Sequence, residues 1–446
     1  MPASPGTKPT GARKLAYDAL LLADRSMRVN DALHGLLADS DLAGRDRRFA
    51  TELVLGTTRL KGILDRDLAD CYHGKFGKIE PQVRRLLRMG AYQMRYMDKV
   101  PPYAAIDSTV DLAVRQDLAR AKGLINGVLR ELSRRPRQGN PPDDAPVDVL
   151  AAGYSHPQWL VEKWLDQWDR PTVIQLLQYN NRTPEIWFRR RENPQLSERL
   201  EQLIKELNLE IHNHPELPEY FSCDTPARLL DQKVLEEGLF IVQNPASGAV
   251  VRMASPKAGE TIIDLCAGPG GKTAALSDAV GPEGRIIACE IDPKRADLIG
   301  ETVHRLSLAN VEIVVGDALQ NRLPEAHKIL VDAPCTGTGV LARRADLRWR
   351  RQPEHIAELA ALQKALAARA IQLLHTGGKL IYATCSLEPE ENWEIGDSIM
   401  EGHPGLGIAP ETGTLPPDWL DERGALNTLP WKHNIDGMFS INLTLQ

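Results

Sequence analysis

Long hydrophobic runs are missing from this sequence, and so are paired cysteines. No stretch of 18 apolar residues occurs in the 446, which leaves no helix to span a bilayer. The opening MPASPGTKPTGARK has no apolar core of the signal-peptide kind, so the expected compartment is the cytoplasm, with no membrane partner. Cysteine is scarce: Cys71, Cys223, Cys266, Cys289, Cys335 and Cys385 form no C-x-x-C pair. Reduced thiols are expected, with neither a disulfide framework nor a bound metal. A nucleotide-binding P-loop is also lacking. Its pattern, G-x-x-x-x-G-K-[ST], ends correctly in Gly271-Lys272-Thr273, but Cys266 stands where the first glycine is required.

Net positive charge is absent as well, the balance being −6. Its distribution is uneven. Residues 1–140 hold 25 Lys and Arg against 16 Asp and Glu, a balance of +9, and the remainder carries −15. A basic module joined to an acidic one is the reading, and neutralising phosphates is what a basic module does well.

Residues 12–135 show helical periodicity throughout, clearest in 16–22, 31–37, 49–60 and 83–97. Asn126-Gly127 is expected to interrupt the last helix and to permit close helix contact. The turn-rich connector from Arg134 to Pro146 ends a first, helical domain at about residue 140. Residues 150–243 read as a small α+β module, with two helices in 157–177, a strand at Trp187-Phe188-Arg189, a helix over 197–207 and short polar-flanked pieces around Phe221 and Phe240–Val242. From 244 to 446, strands at 261–265, 285–289, 311–315, 328–331 and 379–384 alternate with helices over 271–279, 295–306 and 353–374. That alternation predicts an α/β, Rossmann-like, doubly wound parallel sheet, with 438–445 added as an antiparallel strand.

The first of these strands ends in a glycine-rich turn, Cys266-Ala267-Gly268-Pro269-Gly270-Gly271-Lys272, which lets the chain approach a nucleotide-like ligand closely. The second ends at Glu290, placed for ribose hydroxyls, and the third at Asp317, placed for an adenine edge. A glycine loop, a ribose acid and an adenine acid in that order indicate S-adenosylmethionine. The fourth strand ends in Asp332-Ala333-Pro334-Cys335 and the fifth in Ala383-Thr384-Cys385-Ser386, so two thiols and a carboxylate face one site. A lone buried cysteine is usually a small hydrophobe. Two at neighbouring strand ends beside a cofactor loop point to chemistry. Carbon 5 of a pyrimidine is too weak a nucleophile to take a methyl group unless a thiolate first adds at carbon 6, and the thiol needs local activation to do so.

These motifs resemble those of the RNA cytosine-5 methyltransferase family, the NOL/Nop2/Sun group. The likeness rests on Asp264-Leu-Cys-Ala-Gly-Pro-Gly-Gly-Lys-Thr273, Asp332-Ala-Pro-Cys335 and Ala383-Thr-Cys-Ser386, spans about 200 residues, and includes Asp436-Gly-Met-Phe439 as the closing motif. Arg47–Gly56 and Gly123–Arg130 resemble a NusB-like RNA-binding domain, which points to the bacterial branch acting on small-subunit rRNA. The resemblance implies that Cys385 is the nucleophile and that Cys335 assists product release. It puts Cys266 to Lys272, Glu290, Asp317 and Asp332 at the cofactor, Asp332 having the target base as a second candidate partner. It further implies 16S rRNA as substrate, at the cytosine known as position 967. Two departures stand out: Gln243-Asn-Pro-Ala-Ser247 replaces the frequent Gln-Asp-Ala-Ser, and the arginine pair after Gly339 is shifted to Arg343-Arg344. Arg343, Arg344, Arg348 and Trp349 are the expected RNA contacts, an arginine-rich stretch with an aromatic for stacking. A monomer is expected.

The rival readings are a cytosine-5 enzyme acting on tRNA or DNA, and a non-catalytic assembly or antitermination factor using the fold as a scaffold. In the DNA enzymes the Pro-Cys thiol is the nucleophile. The second thiol and the helical domain count against that case, and retention of both thiols and the cofactor acids counts against the scaffold.

Overall fold

The computed structural model describes residues 11–409 and 415–445. The first ten residues, on which the signal-peptide argument partly rests, lie outside the described residues. Among the described residues no helix is long and apolar enough to cross a membrane. The chain forms two compact units. One runs to Arg182 and includes Leu341–Arg350; the other comprises Thr183–Val340 and Arg351 onward.

The first unit is helical. Its helices are Gly11–Asp24, Val29–Ala38, Gly44–Arg59, Lys61–Ala69, Pro81–Tyr96, Pro102–Arg115 and Lys122–Arg134, followed by Val147–Gly153, Gln158–Gln167 and Arg170–Asn180. Prolines set at the first turn start several of them, since the missing N–H would have no helical partner there. The carboxylate of Asp169 caps the last by accepting from Thr172 N at 3.0 Å. Leu33, Leu53, Leu64, Leu86, Leu87, Ile125 and Leu129 fill the core. Gly56 is needed where two helices cross, because a Cβ there would lie 1.9 Å from the Tyr92 ring.

Two expectations fail in this unit. Asn126-Gly127 does not break its helix: Lys122–Arg134 is continuous, and a Cβ at Gly127 would meet nothing within 4 Å. Burial of Ile125, Val128, Leu129 and Leu132 outweighs the roughly 1 kcal/mol that an interior glycine costs. The helices over 147–180 also cluster with the N-terminal helices rather than with the small module that was expected to begin at 150.

The second unit holds two sheets. The smaller is antiparallel and made of β1 (Phe188–Arg190), β2 (Ile211–Asn213), β3 (Tyr220–Cys223) and β4 (Phe240–Val242), in the order β2-β3-β1-β4. Phe188, Phe221 and Phe240 pack there against Leu200 and Leu203 of helix Pro194–Glu206. The larger contains β5 (Thr261–Asp264), β6 (Arg285–Glu290), β7 (Val311–Val315), β8 (Ala326–Asp332), β9 (Leu374–Thr384), β10 (Leu406–Ile408), β11 (Leu426–Thr428) and β12 (Met438–Leu445). Its order is β10-β12-β9-β8-β5-β6-β7, with β11 on β12. Strands β5 to β9 are parallel, and β12 joins β9 antiparallel as expected. The short strands β10 and β11 had no signal in the sequence.

Parallel strands buried on both faces need near-continuous apolar runs. In β8, Ile329 and Val331 enter one core cluster with Leu366, Ala367 and Ala370, whereas Leu330 enters the other with Ala249, Val250 and Leu276. From β5 the chain steps outward to β6 and β7, then returns to β8 on the other side of β5. The reversal makes a crevice at the carboxyl ends of β5 and β8, where ligands bind in such sheets.

Candidate active site

The glycine turn leaves β5 at Asp264 and enters helix Gly271–Val280. Gly270 has φ 98°, a left-handed conformation open to glycine without strain. At Gly268 a Cβ would fall 2.1 Å from Glu290 Oε2, so the backbone needs glycine to pass the carboxylate. Glu290 is buried at the end of β6; its Oε2 accepts from Gly268 N at 3.0 Å and meets Arg295 Nη1 at 3.3 Å. Asp317, half-buried after β7, accepts from Leu319 N at 3.0 Å and Gln320 Nε2 at 2.9 Å. Lys272 donates to Asp332 Oδ2 at 2.8 Å and so ties the glycine loop to the end of β8. Burial raises the Cys266 thiol well above its ordinary value, and the acids around it add to the effect. It carries no charge into the site.

Asp264, which sequence reasoning left unassigned, is 1% exposed. Its Oδ2 accepts from Thr273 Oγ1 at 2.7 Å while Oδ1 has no partner. Burial pushes its carboxyl up to about 7.

The register pairs Asp332 with Ala383, which brings the residues after each strand together. Cys335 Sγ and Cys385 Sγ lie 3.2 Å apart. Cys385 is half-buried, whereas Cys335 is 9% exposed. The hydrogen bond to Cys385 and then burial raise the Cys335 thiol well above its ordinary value, with further contributions from the charges of Cys385 and Glu391. Backbone bonds fix both turns: Gly339 N donates to Cys385 O at 2.9 Å and Gly437 N to Gly339 O at 2.8 Å. A Cβ on Gly339 would sit 2.5 Å from Gly437 O, so the Asp436-Gly437 motif closes directly against the Cys335 loop. Arg351 donates to Cys335 O at 2.7 Å and Thr336 O at 3.0 Å. Asn244 caps helix Pro245–Ala254 and also accepts from Asp436 N at 3.3 Å.

The four expected RNA contacts divide. Arg343 and Arg344 are exposed. Arg348 is 1% exposed, and its guanidinium donates to Ser155 O, Asn181 Oδ1, Asn180 O and Leu341 O at 2.7–3.2 Å. Both terminal nitrogens are engaged on the protein itself and the Nε is buried, which corrects the expectation of a phosphate contact. Trp349 donates its indole N–H to Thr58 O at 2.9 Å, and Lys61 covers its ring at 5.0 Å. That ring is committed to packing rather than free to stack on a base.

Glycine backbone passing an acid, two further acids at successive strand ends and a Lys272–Asp332 pair fit S-adenosylmethionine. Fold and site together define a Rossmann-like methyltransferase with that cofactor. A family profile described as 16S rRNA methyltransferase RsmB/F matches residues 251–444, and a NusB family profile matches 10–134. The probable ribosomal RNA small subunit methyltransferase B of Synechocystis sp. is 34% identical, over 97% of this chain and 99% of its own length. Among solved structures, PH0851 has the same fold at a TM-score of 0.81, with 24% identity over 99% of each chain. NSun6 from Pyrococcus horikoshii, solved with SFG, gives a TM-score of 0.57 at 22% identity, covering 65% of this chain and 98% of that one. The chain belongs to the RsmB/F 16S rRNA methyltransferase family.

Glu391, Gln363 and Asn392 were missed by sequence reasoning, although they bond to Thr336, Pro334 and Ser386 in the thiol turns; Arg351 was read only as part of the basic stretch. The available signal was the polar run Glu388-Pro-Glu-Glu-Asn392, one residue beyond Thr-Cys-Ser.

Proposed function

We propose that this enzyme methylates carbon 5 of a cytosine in 16S rRNA, at the site known as position 967, through a covalent bond between Cys385 and carbon 6. The observation that carries the reading is the pair of thiols 3.2 Å apart at the ends of β8 and β9. Cys385, the more exposed of the two, adds as thiolate to carbon 6, and carbon 5 becomes enamine-like. Bound S-adenosylmethionine supplies an electrophilic methyl group. Cys335 then takes the proton from carbon 5, the electron pair restores the 5,6 double bond, and Cys385 leaves as thiolate.

The neighbouring thiol supports this order. Before Cys385 bonds to carbon 6, its hydrogen bond and charge favour the protonated form of Cys335. Once Cys385 is bound to carbon 6 it is a neutral thioether, and both influences vanish. Burial and the Glu391 charge still favour the protonated form, so Cys335 passes its own proton to solvent before it serves as the base that the second half of the reaction requires. Glu290 and Asp317 are assigned to the ribose and adenine ends of the cofactor, and the basic N-terminal helices to RNA phosphates. A cytoplasmic location accompanies an rRNA substrate.

Bisulfite mapping of 16S rRNA from a strain lacking the gene tests this. The cytosine should become convertible there and regain protection with the wild-type gene, but not with Cys385→Ala. Unchanged protection in the deletion strain would overturn the reading.

A further inference from the structure

Glu391 closes a turn, Pro389–Glu391, just beyond β9, and is 0% exposed. Burying a carboxylate costs several kcal/mol unless donors surround it. Here four do. Thr336 N and Gln363 Nε2 reach Oε1 at 2.9 and 3.0 Å, Ser386 Oγ reaches Oε2 at 2.5 Å, and Thr336 Oγ1 donates to Oε2 as well. Thr336 directly follows Cys335 and Ser386 directly follows Cys385. Gln363 also donates to Pro334 O at 2.9 Å, on the other side of Cys335. One carboxylate therefore holds the backbone beside both thiols.

We propose that Glu391 is a positioning residue that acts through Thr336 and Ser386 to keep the Cys335 and Cys385 thiols in contact. The proposal rests on the two-thiol reading of the reaction. The titratable and charged groups around Cys335 are Cys385, Glu391, Tyr382 and Arg351. Glu391 is the carboxyl group among them.

The test is Glu391→Gln, which keeps the shape and one acceptor oxygen but removes the charge. Alkylation of Cys335 by iodoacetamide, resolved by mass spectrometry in the free protein, should move to lower pH. Methyl transfer should fall in kcat by roughly ten- to hundredfold, because small misplacements of reacting groups cost that much, with cofactor affinity unchanged. If Glu391→Gln does not fold, Ser386→Ala and Thr336→Val each remove one link and should lower kcat in the same way. Wild-type alkylation and kcat in these variants would overturn the proposal. Alkylation is read without RNA or cofactor. A shifted Cys335 profile in Glu391→Gln, beside a wild-type enzyme that forms no RNA adduct, would therefore sink the reaction scheme and leave Glu391 standing. An unshifted profile beside a normal adduct would do the reverse.

Discussion

The sheet-bearing unit gathers its candidate site residues at the carboxyl ends of its strands, whereas the helical unit spreads its basic side chains over its surface. In β8 and β9 apolar residues run almost to the last position, and parallel pairing then lines up whatever follows. Asp332 sits beside Ala383, which brings the turns carrying Cys335 and Cys385 to the same end of the sheet. Helices have no such shared end. Arg45, Arg48, Arg115, Arg130 and Arg134 are exposed on three different helices. Chemistry is thus local in one unit and charge is distributed in the other, and substitutions should follow that division.

The largest effect is expected at the strand ends. Cys385→Ala should be inactive and form no RNA-linked species on denaturing gels. Cys335→Ala should accumulate that species, because attack precedes release, and the double variant should show none. Adduct in Cys385→Ala alone would exchange the two roles.

Next comes Arg348, which the division would misplace if charge alone were considered. Arg348→Ala leaves several buried acceptors without donors, at about 1–3 kcal/mol for each unsatisfied group. Thermal unfolding should therefore show a loss of at least about 3 kcal/mol. A loss under about 0.5 kcal/mol, the range of ordinary surface substitutions, would return Arg348 to the list of RNA contacts.

Cofactor affinity should respond at Glu290 and Asp317. Each change to Ala removes hydrogen bonds to a charged group, worth about 1.5–3 kcal/mol, or roughly 10- to 150-fold in the cofactor constant. Normal constants in both variants would remove them from the pocket.

Asp264 gives a pH effect. Its carboxyl is raised to about 7 in the folded chain. Below the unfolded value near 3.9 its contribution is fully present, and it is lost as pH rises toward 7, with a slope of up to about 1.4 kcal/mol per pH unit. Asp264→Asn should flatten that part of the stability profile in denaturant titrations. An unchanged slope would show that the proton is held elsewhere.

The smallest effect is expected from Arg343→Glu with Arg344→Glu. If both meet RNA phosphates, affinity should weaken and the slope of log K against log salt should lose about 0.7–0.9 for each. A slope equal to wild type would leave the two arginines merely solvated.

Much of the candidate site's geometry could be read before any coordinates because its signals are short and directional. A buried strand announces its end by the first polar residue, and Asp332, Cys335 and Cys385 all stand at or just beyond such ends. Glycine at 268 and 270 reports backbone constraints that the structure then displays as a crowded Cβ and a positive φ. Glu391 was illegible for the opposite reason: its meaning comes from donors 55 residues away in the chain, at Thr336. Arg348 was misread because an arginine-rich stretch looks alike whether its guanidinium groups face water or backbone carbonyls.

Residues 341–350 leave the catalytic half of the sequence and belong to the helical unit, with Arg348 bonded to the carbonyls of Ser155 and Asn180. The helical unit is therefore assembled from two separate tracts of the gene. A fragment starting at Thr183 would carry a ten-residue tongue stripped of every partner that Arg348 has in residues 155–181. Domain exchange between relatives cannot cut this chain once; it must transplant the tongue together with the helices that receive it.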